Sequence, residues 1–275
     1  MISQPPWLEI LNPQVKTGRV RFALFDFDGT ISVIRREWER IMVEMMIEMI
    51  CGSGPAVPEI AAEAADFVDR STGILTIVQM KWLAAAAARH GLAQTVLSAS
   101  EYKAIFSERL LRPVRQRLAG LGASLAERDA LMIAGARSFL QTLSARGVRL
   151  FLASGTDHEY VVNEAGVLGV LEFFEGRVYG ARGDSESDSK ELVIARILKE
   201  NQLRGEELLV VGDGPVEIRC ARGVGAVALG VAADEDTRQT LNPRKRARLV
   251  EAGADLIVAN FLPAAELADL LCGRS

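Results

Sequence analysis

Residues 22–30, Phe-Ala-Leu-Phe-Asp-Phe-Asp-Gly-Thr, constrain the fold of this chain more than any other segment. A short apolar run bounded by turn residues is typical of a strand buried on both faces of a parallel sheet. Asp26 and Asp28 follow this strand, and Gly29-Thr30 turns the chain directly afterwards. An Asx turn would explain Asp28 but not Asp26, because carboxylates at a buried strand end are costly unless they are paired or metal-bound. The segment therefore predicts a functional site at the carboxyl end of a parallel sheet.

From about residue 128 onwards, strand-like and helix-like segments alternate along the chain. Alternation of this kind indicates a parallel sheet with helices on both faces. The predicted strands are 148–153, 208–212, 225–231 and 255–258, and the predicted helices are 130–146, 159–168, 191–200, 216–222 and 237–252. We therefore expect an α/β fold with a Rossmann-like parallel sheet, to which the strand near residue 25 also belongs.

Residues 34–127 have helical periodicity and no convincing strand. Because the first strand has no partner until about residue 148, we interpret this segment as an all-helical cap domain inserted into the sheet domain. Residues 1–33 and 128–275 would then form a Rossmann-like catalytic core. The length of 275 residues allows this division into two structural units.

Four helices are predicted in the inserted segment, the first three at 38–50, 58–69 and 74–90. Ser98 and Glu101 form a capping box for the fourth helix, and Pro113 is expected to kink or interrupt it. The first helix carries four methionines, Met42, Met45, Met46 and Met49. Methionine suits irregular core packing, and the wall of a substrate pocket is the second reading.

Charge and hydropathy argue against nucleic-acid and membrane partners. The formal net charge of −4 gives no general attraction to nucleic acid or to anionic membranes. The basic run 244–248 has acidic neighbours at Glu235, Asp236 and Glu251, so we interpret it as a solvated helix face. No apolar stretch reaches transmembrane length, and residues 1–7 do not resemble a signal peptide.

Cysteine and histidine usage excludes further kinds of site. Cys51, Cys220 and Cys272 form neither a disulfide framework nor a zinc spacing, which suits a reducing cytoplasm. His90 and His158 are the only histidines, so a His-rich metal site is excluded and a Ser-His-Asp triad is disfavoured. The sequence also lacks the G-x-S-x-G and G-x-x-x-x-G-K-[ST] motifs, and it does not indicate an oligomeric state.

Acidic residues follow a second predicted strand, which ends near residue 212. Asp213 and Glu217 come after it, and in a doubly wound fold they would meet Asp26 and Asp28 at the same edge of the sheet. Close carboxylate pairs repel by up to about 4 kcal/mol at intermediate dielectric. A hard divalent cation removes that cost, and Mg²⁺ is the natural choice for a site of oxygen ligands.

Two further features fall in positions that suit binding of an anion. Ser154-Gly155 follows an apolar strand, and a hydroxyl with a backbone N–H could hold a phosphate oxygen. Lys190 lies in a first helical turn, where an anion or the Asp26 carboxylate would compensate its charge. Taken alone, Ser154 could equally be an N-cap and Lys190 a solvent-exposed lysine.

In combination these motifs resemble those of the haloacid dehalogenase superfamily of phosphotransferases. The D-x-D-G-T motif is matched by residues 26–30, the hydroxyl motif by Ser154, the lysine motif by Lys190 and the acidic motif by Asp213 with Glu217. The inserted helices are similar to the helical cap that this family carries between its first two motifs. Glu217 departs slightly from the pattern, since many members carry Asp, but a longer carboxylate could still hold a metal-bound water or Lys190.

The resemblance implies a role for each matched residue. Asp26 would be the nucleophile, forming an aspartyl-phosphate, and Asp28 would be the general acid and then the general base. Mg²⁺ would bind the carboxylates of Asp26 and Asp213 and the backbone carbonyl of Asp28. Lys190 and Ser154 would offset charge on the transferring phosphoryl group.

Substrate contacts are assigned less directly. Thr30 and Gly155 are candidates for the phosphate, and four residues at the border of the cap or inside it are candidates for the remainder of the substrate: Arg35, Arg36, Thr72 and Gly73. For the arginines the alternative is an exposed surface position, and for residues 71–73 it is an ordinary N-cap.

The implied activity is Mg²⁺-dependent hydrolysis of a small phosphorylated metabolite, such as a sugar phosphate. Dehalogenases and phosphonatases are disfavoured, because those relatives lack a carboxylate at the position of Asp28. A phosphomutase acting on a sugar phosphate shares all four motifs and is the alternative enzyme. A catalytically idle binding protein is the alternative from another class, since a fold alone does not fix a function.

Overall fold

A computed structural model describes residues 5–122, 124–183 and 188–273 of the chain. Within these residues the strands form one seven-stranded sheet in the order β1-β7-β6-β5-β2-β3-β4. The strands are β1 (Leu8–Ile10), β2 (Phe22–Phe25), β3 (Arg149–Asp157), β4 (Val178–Ala181), β5 (Leu208–Gly212), β6 (Val227–Val231) and β7 (Leu256–Val258). All neighbouring strands are parallel except β1, which pairs antiparallel with β7. The predicted α/β class with a Rossmann-like parallel sheet is confirmed.

The central position of β2 brings the functional loops together. Phe25 is in register with Leu152 on one side and with Val211 on the other. The residues that follow these positions therefore emerge side by side at one edge of the sheet, which is where ligands bind in open α/β folds. Strands β2 and β5 are apolar and almost completely buried, as expected for a sheet covered on both faces.

Helices cover both faces of the sheet. The helices outside the inserted segment are α6 (Ala136–Ala145), α7 (His158–Leu168), α8 (Lys190–Glu200), α9 (Pro215–Gly223), α10 (Pro243–Ala252) and α11 (Ala264–Cys272). The buried side chains of α6, α7 and α11 belong to one hydrophobic cluster, and those of α8, α9 and α10 belong to a second. Short 3₁₀ turns at Leu171–Phe174 and Gly205–Glu207 lead into β4 and β5.

Among the described residues from Trp38 to Asp129, the regular structure of the inserted segment is helical throughout. Its helices are α1 (Trp38–Cys51), α2 (Pro58–Ser71), α3 (Thr76–His90), α4 (Ala99–Ala119) and the short α5 (Leu125–Asp129). Met42, Met45 and Met46 are completely buried among these helices and do not line the pocket that contains Asp26 and Asp28 (the main pocket). The methionine run therefore packs the cap, and the pocket-wall reading is wrong for these three. No helix of the described residues is long and apolar enough to span a membrane.

Several predicted boundaries are wrong. The helix predicted at 130–146 begins only at Ala136, because the chain first turns through Gly135 at a φ of +79° and passes Phe261 so closely that a Cβ would clash. The helix predicted at 237–252 begins at Pro243, after the N-cap Asn242.

Two features were predicted for the fourth cap helix, α4: a capping box at its start and an effect of Pro113 on its course. Its capping box at Ser98 and Glu101 is confirmed. Of the two effects predicted for Pro113, a kink or an interruption, the interruption does not occur, because α4 continues through Pro113 to Ala119. Buried Phe106, Leu110 and Val114 anchor the helix on both sides of the proline, which offsets the lost backbone hydrogen bond.

Candidate active site

The end of β2 and the first turns of α8 and α9 bring two carboxylates and a lysine into contact. Nζ of Lys190 lies 2.8 Å from Oδ1 of Asp26 and 3.0 Å from Oε2 of Glu217. All three side chains are at most 8% exposed. Lys190 is therefore not a surface lysine, and the solvent-exposed reading is wrong. Glu217 reaches the lysine despite its departure from the family pattern, and its Oε1 accepts the Gly214 N–H at 2.8 Å.

Electrostatics in this cluster are strongly coupled. Burial raises the pKa of Asp26 well above its usual range, Lys190 lowers it, and the negative charges of Glu217 and Asp213 raise it further. Burial would depress the pKa of Lys190, but Asp26 and Glu217 outweigh that cost and raise it. Lys190 therefore remains protonated, and its single positive charge faces the two carboxylates of Asp26 and Glu217, so a divalent cation would be stabilised beside them.

The donor set fits a hard divalent cation. One carboxylate oxygen from each of Asp26, Asp213 and Glu217 lies within 4.8 Å of the others, and all three residues are buried. Oδ1 of Asp213 is buried and has no hydrogen-bond partner among the described residues. An unpaired buried carboxylate oxygen beside two further carboxylates is the environment that Mg²⁺ would complete.

The side chain of Asp28 lies in the same pocket as Asp26 and contacts two hydroxyl groups. Its Oδ2 accepts a hydrogen bond from Oγ1 of Thr156 at 3.0 Å and a longer one from Oγ of Ser154 at 3.4 Å. Burial raises the pKa of Asp28 to about 6, while Arg35 lowers it and Glu164 raises it. A carboxyl group that titrates near pH 6 can both donate and accept a proton under neutral conditions.

Ser154 and Gly155 lie inside the last part of β3, before the helix that follows. Asp157 is the N-cap residue of α7, so the reading of Ser154 as an N-cap is wrong. The pairing of β3 with β4 shifts register between Ala153 and Asp157, which is where the serine and glycine turn towards the pocket.

The two predicted arginines have different surroundings. Arg35 is 6% exposed and pairs with Glu164, with Nη2 to Oε1 at 2.6 Å, while its Nε lies 3.9 Å from Oδ1 of Asp28. Arg36 is one-third exposed and lines a separate crevice, 4.0 Å from Asp236. The structure therefore brings Arg35 to the site and leaves Arg36 outside the main pocket.

Thr30 also lies outside the main pocket. Its side chain is completely buried, and Oγ1 has no hydrogen-bond partner among the described residues. Thr30 belongs to the tight turn after Asp28, in which backbone N–H groups of residues 30–32 point to the Phe27 carbonyl. The position of Thr30 therefore does not indicate direct contact with phosphate.

The cap closes over the site through the loop between α2 and α3, residues 72–75. Thr72 and Gly73 line the same pocket as Asp26 and Asp28. Because α3 begins at Thr76 with Leu75 as its N-cap residue, the N-cap reading of residues 71–73 is wrong. Gly73 has a φ of +100°, and a Cβ there would clash with Glu217.

The core side of this contact also uses glycines. A Cβ at Gly155 would clash with the Ile74 carbonyl oxygen, and one at Gly214 would lie 2.6 Å from the Thr72 carbonyl oxygen. The backbone of the loop therefore sits directly on the strand ends of the core, and the site is covered.

Two residues of the site were misread from sequence. Lys245 and Arg248, in the run interpreted as a solvated helix face, are each 6% exposed and contact Asp213. Burial would raise the pKa of Asp213, but Lys245 and Arg248 outweigh it and lower this pKa. Their i, i+3 spacing places both on one helix face, but Arg244, four residues before Arg248, is largely exposed, so spacing alone did not separate buried cations from solvated ones.

Other pocket residues come from positions that carry no motif. They are Trp38, Ile74, Thr76, Gln79, Lys103, Phe106, Ser107, Leu110, Leu111, Thr156, Asp157 and Tyr160. Most of them lie on α1, α3 and α4, so the cap supplies much of the wall opposite the carboxylates. Helical periodicity alone gave no signal that distinguishes these residues from ordinary packing positions.

Comparison with known proteins gives a family and a fold. The sequence model for haloacid dehalogenase-like hydrolases matches residues 20–225. No curated protein matches the sequence. A predicted phosphoglycolate phosphatase from Haemophilus somnus 129pt superposes with a TM-score of 0.60 at 16% identity, over 91% of this chain and 98% of that one.

Two further solved structures share the fold. A predicted phosphatase from Clostridium acetobutylicum has a TM-score of 0.57 at 15% identity, with 91% of this chain and 99% of that chain covered. A protein named as a beta-phosphoglucomutase from Bacteroides vulgatus has a TM-score of 0.55 at 13% identity, with 92% and 91% covered. The family match spans three-quarters of the chain and includes all four motifs, so this chain belongs to the haloacid dehalogenase-like hydrolases.

Proposed function

We propose that this protein is a Mg²⁺-dependent phosphatase that hydrolyses a small phosphorylated metabolite through an aspartyl-phosphate on Asp26. The observation that carries the proposal is the buried contact of Asp26 with Lys190, next to Asp28 and beneath a closed cap. When bound, Mg²⁺ would neutralise the carboxylates and the phosphate oxygens. Asp26 and Asp213, with the Asp28 carbonyl, would hold it.

The residues of the chain then divide the reaction into two steps. A carboxylate oxygen of Asp26 attacks phosphorus, the ester P–O bond breaks, and Asp28 gives its proton to the leaving oxygen. In the second step Asp28 takes a proton from water, whose oxygen attacks phosphorus and releases inorganic phosphate from Asp26. Lys190 holds Asp26 in position, and the hydroxyl and backbone at Ser154-Gly155 are placed to contact the phosphoryl group.

The pocket wall supports a small and partly polar leaving group. Trp38, Phe106 and Leu110 supply apolar surface, while Gln79 and Ser107 supply amide and hydroxyl groups. Aromatic surface combined with a few polar groups suits a compact polyhydroxylated molecule, such as a sugar phosphate. We place the cap at 34–127 and the catalytic core at 1–33 and 128–275, and we expect the protein in the cytoplasm.

Replacement of the nucleophile tests the proposal. Asp26→Asn keeps the shape and removes the attacking oxygen, so phosphate release from a panel of phosphorylated metabolites should fall at least about a thousandfold, some 4 kcal/mol of barrier. Far-UV circular dichroism should show the variant folded. Asp213→Asn should instead raise the Mg²⁺ concentration needed for half-maximal rate. Near-normal turnover by Asp26→Asn would falsify the covalent mechanism.

A phosphomutase is the second candidate, and the similarity of fold to the B. vulgatus protein favours its inclusion. Asp28 would act as acid and base in both reactions, and only the acceptor differs. Incubation of the unmodified protein with sugar 1-phosphates separates them, through free phosphate measured against isomerised sugar phosphate. A dominant yield of isomer would establish the mutase, and neither product under any condition would favour the catalytically idle alternative.

A further inference from the structure

Three of the four cationic residues on helix α10 differ in their contacts with the cap and the core. Arg244 is largely exposed and pairs only with the cap, with Nε to Oδ1 of Asp69 at 3.0 Å. Lys245 is buried and contacts the core, with Nζ to Oδ2 of Asp213 at 2.7 Å. Arg248 is buried and contacts both. The three positions therefore separate cap contact, core contact and the combination of the two.

The guanidinium of Arg248 bridges the acidic motif and two helices of the cap. On one side Nη1 lies 2.8 Å from Oε1 of Glu39 on α1, 3.4 Å from Oδ1 of Asp69 on α2 and 3.3 Å from Oγ1 of Thr72. On the other side Nε donates to the Asp213 carbonyl at 3.2 Å, and Nη2 lies 3.4 Å from Oδ2 of Asp213. Because the guanidinium is planar and rigid, a change on one side alters the contacts on the other.

We propose that Arg248 is a positioning residue that couples closure of the cap to binding of the metal ion at Asp213. The inference rests on the proposed function, because it assumes that Oδ1 of Asp213 is a metal ligand. A divalent cation at Oδ1 draws negative charge away from Oδ2 and repels the guanidinium. Glu39 and Asp69 then become the dominant anionic partners of Arg248, so metal binding strengthens the contacts that hold the cap closed.

The reverse effect follows from linkage. Opening of the cap would remove Glu39 and Asp69, and among the contacts of the described residues Asp213 would be the remaining carboxylate on Arg248. A buried guanidinium without its other partners binds the remaining one more strongly. The open state therefore competes with the metal for Asp213, and the closed state favours metal binding by the same factor.

Hydrogen exchange of the full-length protein, with Mg²⁺ alone and no substrate, measures this coupling. In the unmodified protein Mg²⁺ should slow amide exchange in residues 68–76 by about fivefold or more. Isothermal titration calorimetry gives the Mg²⁺ affinity of each variant in parallel. Arg248→Gln should still bind Mg²⁺ but should lose the metal-dependent protection of residues 68–76.

Neighbours on α10 provide matched controls. Arg244→Gln removes a cap contact alone. Amide exchange in residues 68–76 should therefore be faster both with and without Mg²⁺, while Mg²⁺ should still slow it. Lys245→Gln removes the contacts of Nζ with Asp213 and Glu235 and no contact with the cap, so the Mg²⁺ affinity should change while the protection on metal binding persists. If Arg248→Gln does not fold by circular dichroism, Glu39→Gln removes the negative charge of the closest cap contact and keeps both contacts of Arg248 with Asp213. The Mg²⁺-dependent protection of residues 68–76 should likewise be smaller in Glu39→Gln.

The outcomes that overturn the inference are distinct from those that overturn the function. Mg²⁺ binding without protection of residues 68–76 in the unmodified protein would refute the coupling alone. Persistence of the protection in Arg248→Gln, or in Glu39→Gln if the first variant is unfolded, would refute the role of Arg248, as would its loss in Arg244→Gln. An unmodified protein that binds no Mg²⁺ would refute both the coupling and the proposed function.

Discussion

Asp28 is the residue whose environment makes the most direct prediction about pH. Its pKa of about 6 results from burial, opposed by Arg35 and reinforced by Glu164. The first step requires protonated Asp28, so kcat/KM should fall as pH rises through this pKa. Glu164→Gln removes the negative charge that raises the pKa and frees Arg35 to act on Asp28. The pKa should fall by about one unit, and the descending limb should move to lower pH.

A pH profile of kcat/KM for a substrate with a poor leaving group checks this. Glu159→Gln is the matched control, because Glu159 is an exposed residue of the same helix α7 and should leave the profile in place. p-Nitrophenyl phosphate provides a second control. Because its leaving group needs little protonation, the descending limb of its pH profile should be shallow. A limb in Glu164→Gln that stays near pH 6 or moves upward contradicts the prediction.

At the residue scale, the sequence was sufficient to predict those site residues that directly follow central strands. Asp26, Asp28 and Asp213 could be predicted because an apolar strand followed by carboxylates is a local pattern. Lys245 and Arg248 could not be placed, because the direction in which α10 faces depends on tertiary packing. Their acidic neighbours in sequence suggested solvent, whereas their acidic partners in space lie on other elements.

At the scale of elements, the loop of residues 72–75 makes the cap and core fit. Gly155→Ala places a methyl group against the Ile74 carbonyl and the Leu75 backbone, without requiring a strained φ. The loop should be held away from the strand ends, and kcat/KM should fall by about tenfold to a hundredfold because closure positions the substrate. Hydrogen exchange should rise at residues 71–76 and remain unchanged in the sheet.

Gly223→Ala is the matched control for this substitution. Gly223 ends α9, has ordinary backbone conformation and has open space where a Cβ would lie. It should leave both kcat/KM and the exchange of the loop as they are. If Gly155→Ala keeps full activity with an unchanged loop, the close contact is not part of cap closure.

Helix α4 gives a prediction about stability. Pro113 lies inside the helix, where it removes a hydrogen bond to the carbonyl of residue 109 and where alanine is favoured by up to about 3 kcal/mol. Pro113→Ala should therefore raise the free energy of unfolding by about 1–3 kcal/mol, measured by urea denaturation. Arg112→Ala, an exposed neighbour, should change it by less than about 0.5 kcal/mol. A decrease in Pro113→Ala would show that α4 depends on the proline for its packing.

At the scale of the whole molecule, alternating periodicity was sufficient to predict the sheet, and its loss over residues 34–127 was sufficient to predict the helical insertion. The sequence did not indicate β1 and β4, because Leu8–Ile10 and Val178–Ala181 do not form the continuous apolar run that is typical of a buried strand. Both are edge strands, so they lack the continuous apolar character of β2 and β5. The contact of the cap with the core was beyond sequence reasoning, since its glycines contact residues that are distant in the chain.

The charge balance of the whole site predicts how the protein responds to removal of metal. Lys190 compensates Asp26 and Glu217, and Lys245 with Arg248 compensates Asp213, so no carboxylate of the cluster depends on a metal ion for a cationic partner. With EDTA the protein should therefore keep its far-UV circular dichroism and unfold cooperatively, unlike domains whose fold requires a structural metal.

Addition of Mg²⁺ should then stabilise a fold that already exists. At a hundred times its Kd, Mg²⁺ should contribute about 2.7 kcal/mol, which raises Tm by roughly 5 °C for a chain of this size. Asp213→Asn should abolish most of this shift, because it weakens the site without removing Lys190 from Asp26. Calorimetric scans with EDTA and with increasing Mg²⁺ measure both effects. Unfolding in EDTA would mean that the lysines and Arg248 do not compensate the carboxylates, and an equal Tm shift in Asp213→Asn would place the bound cation elsewhere.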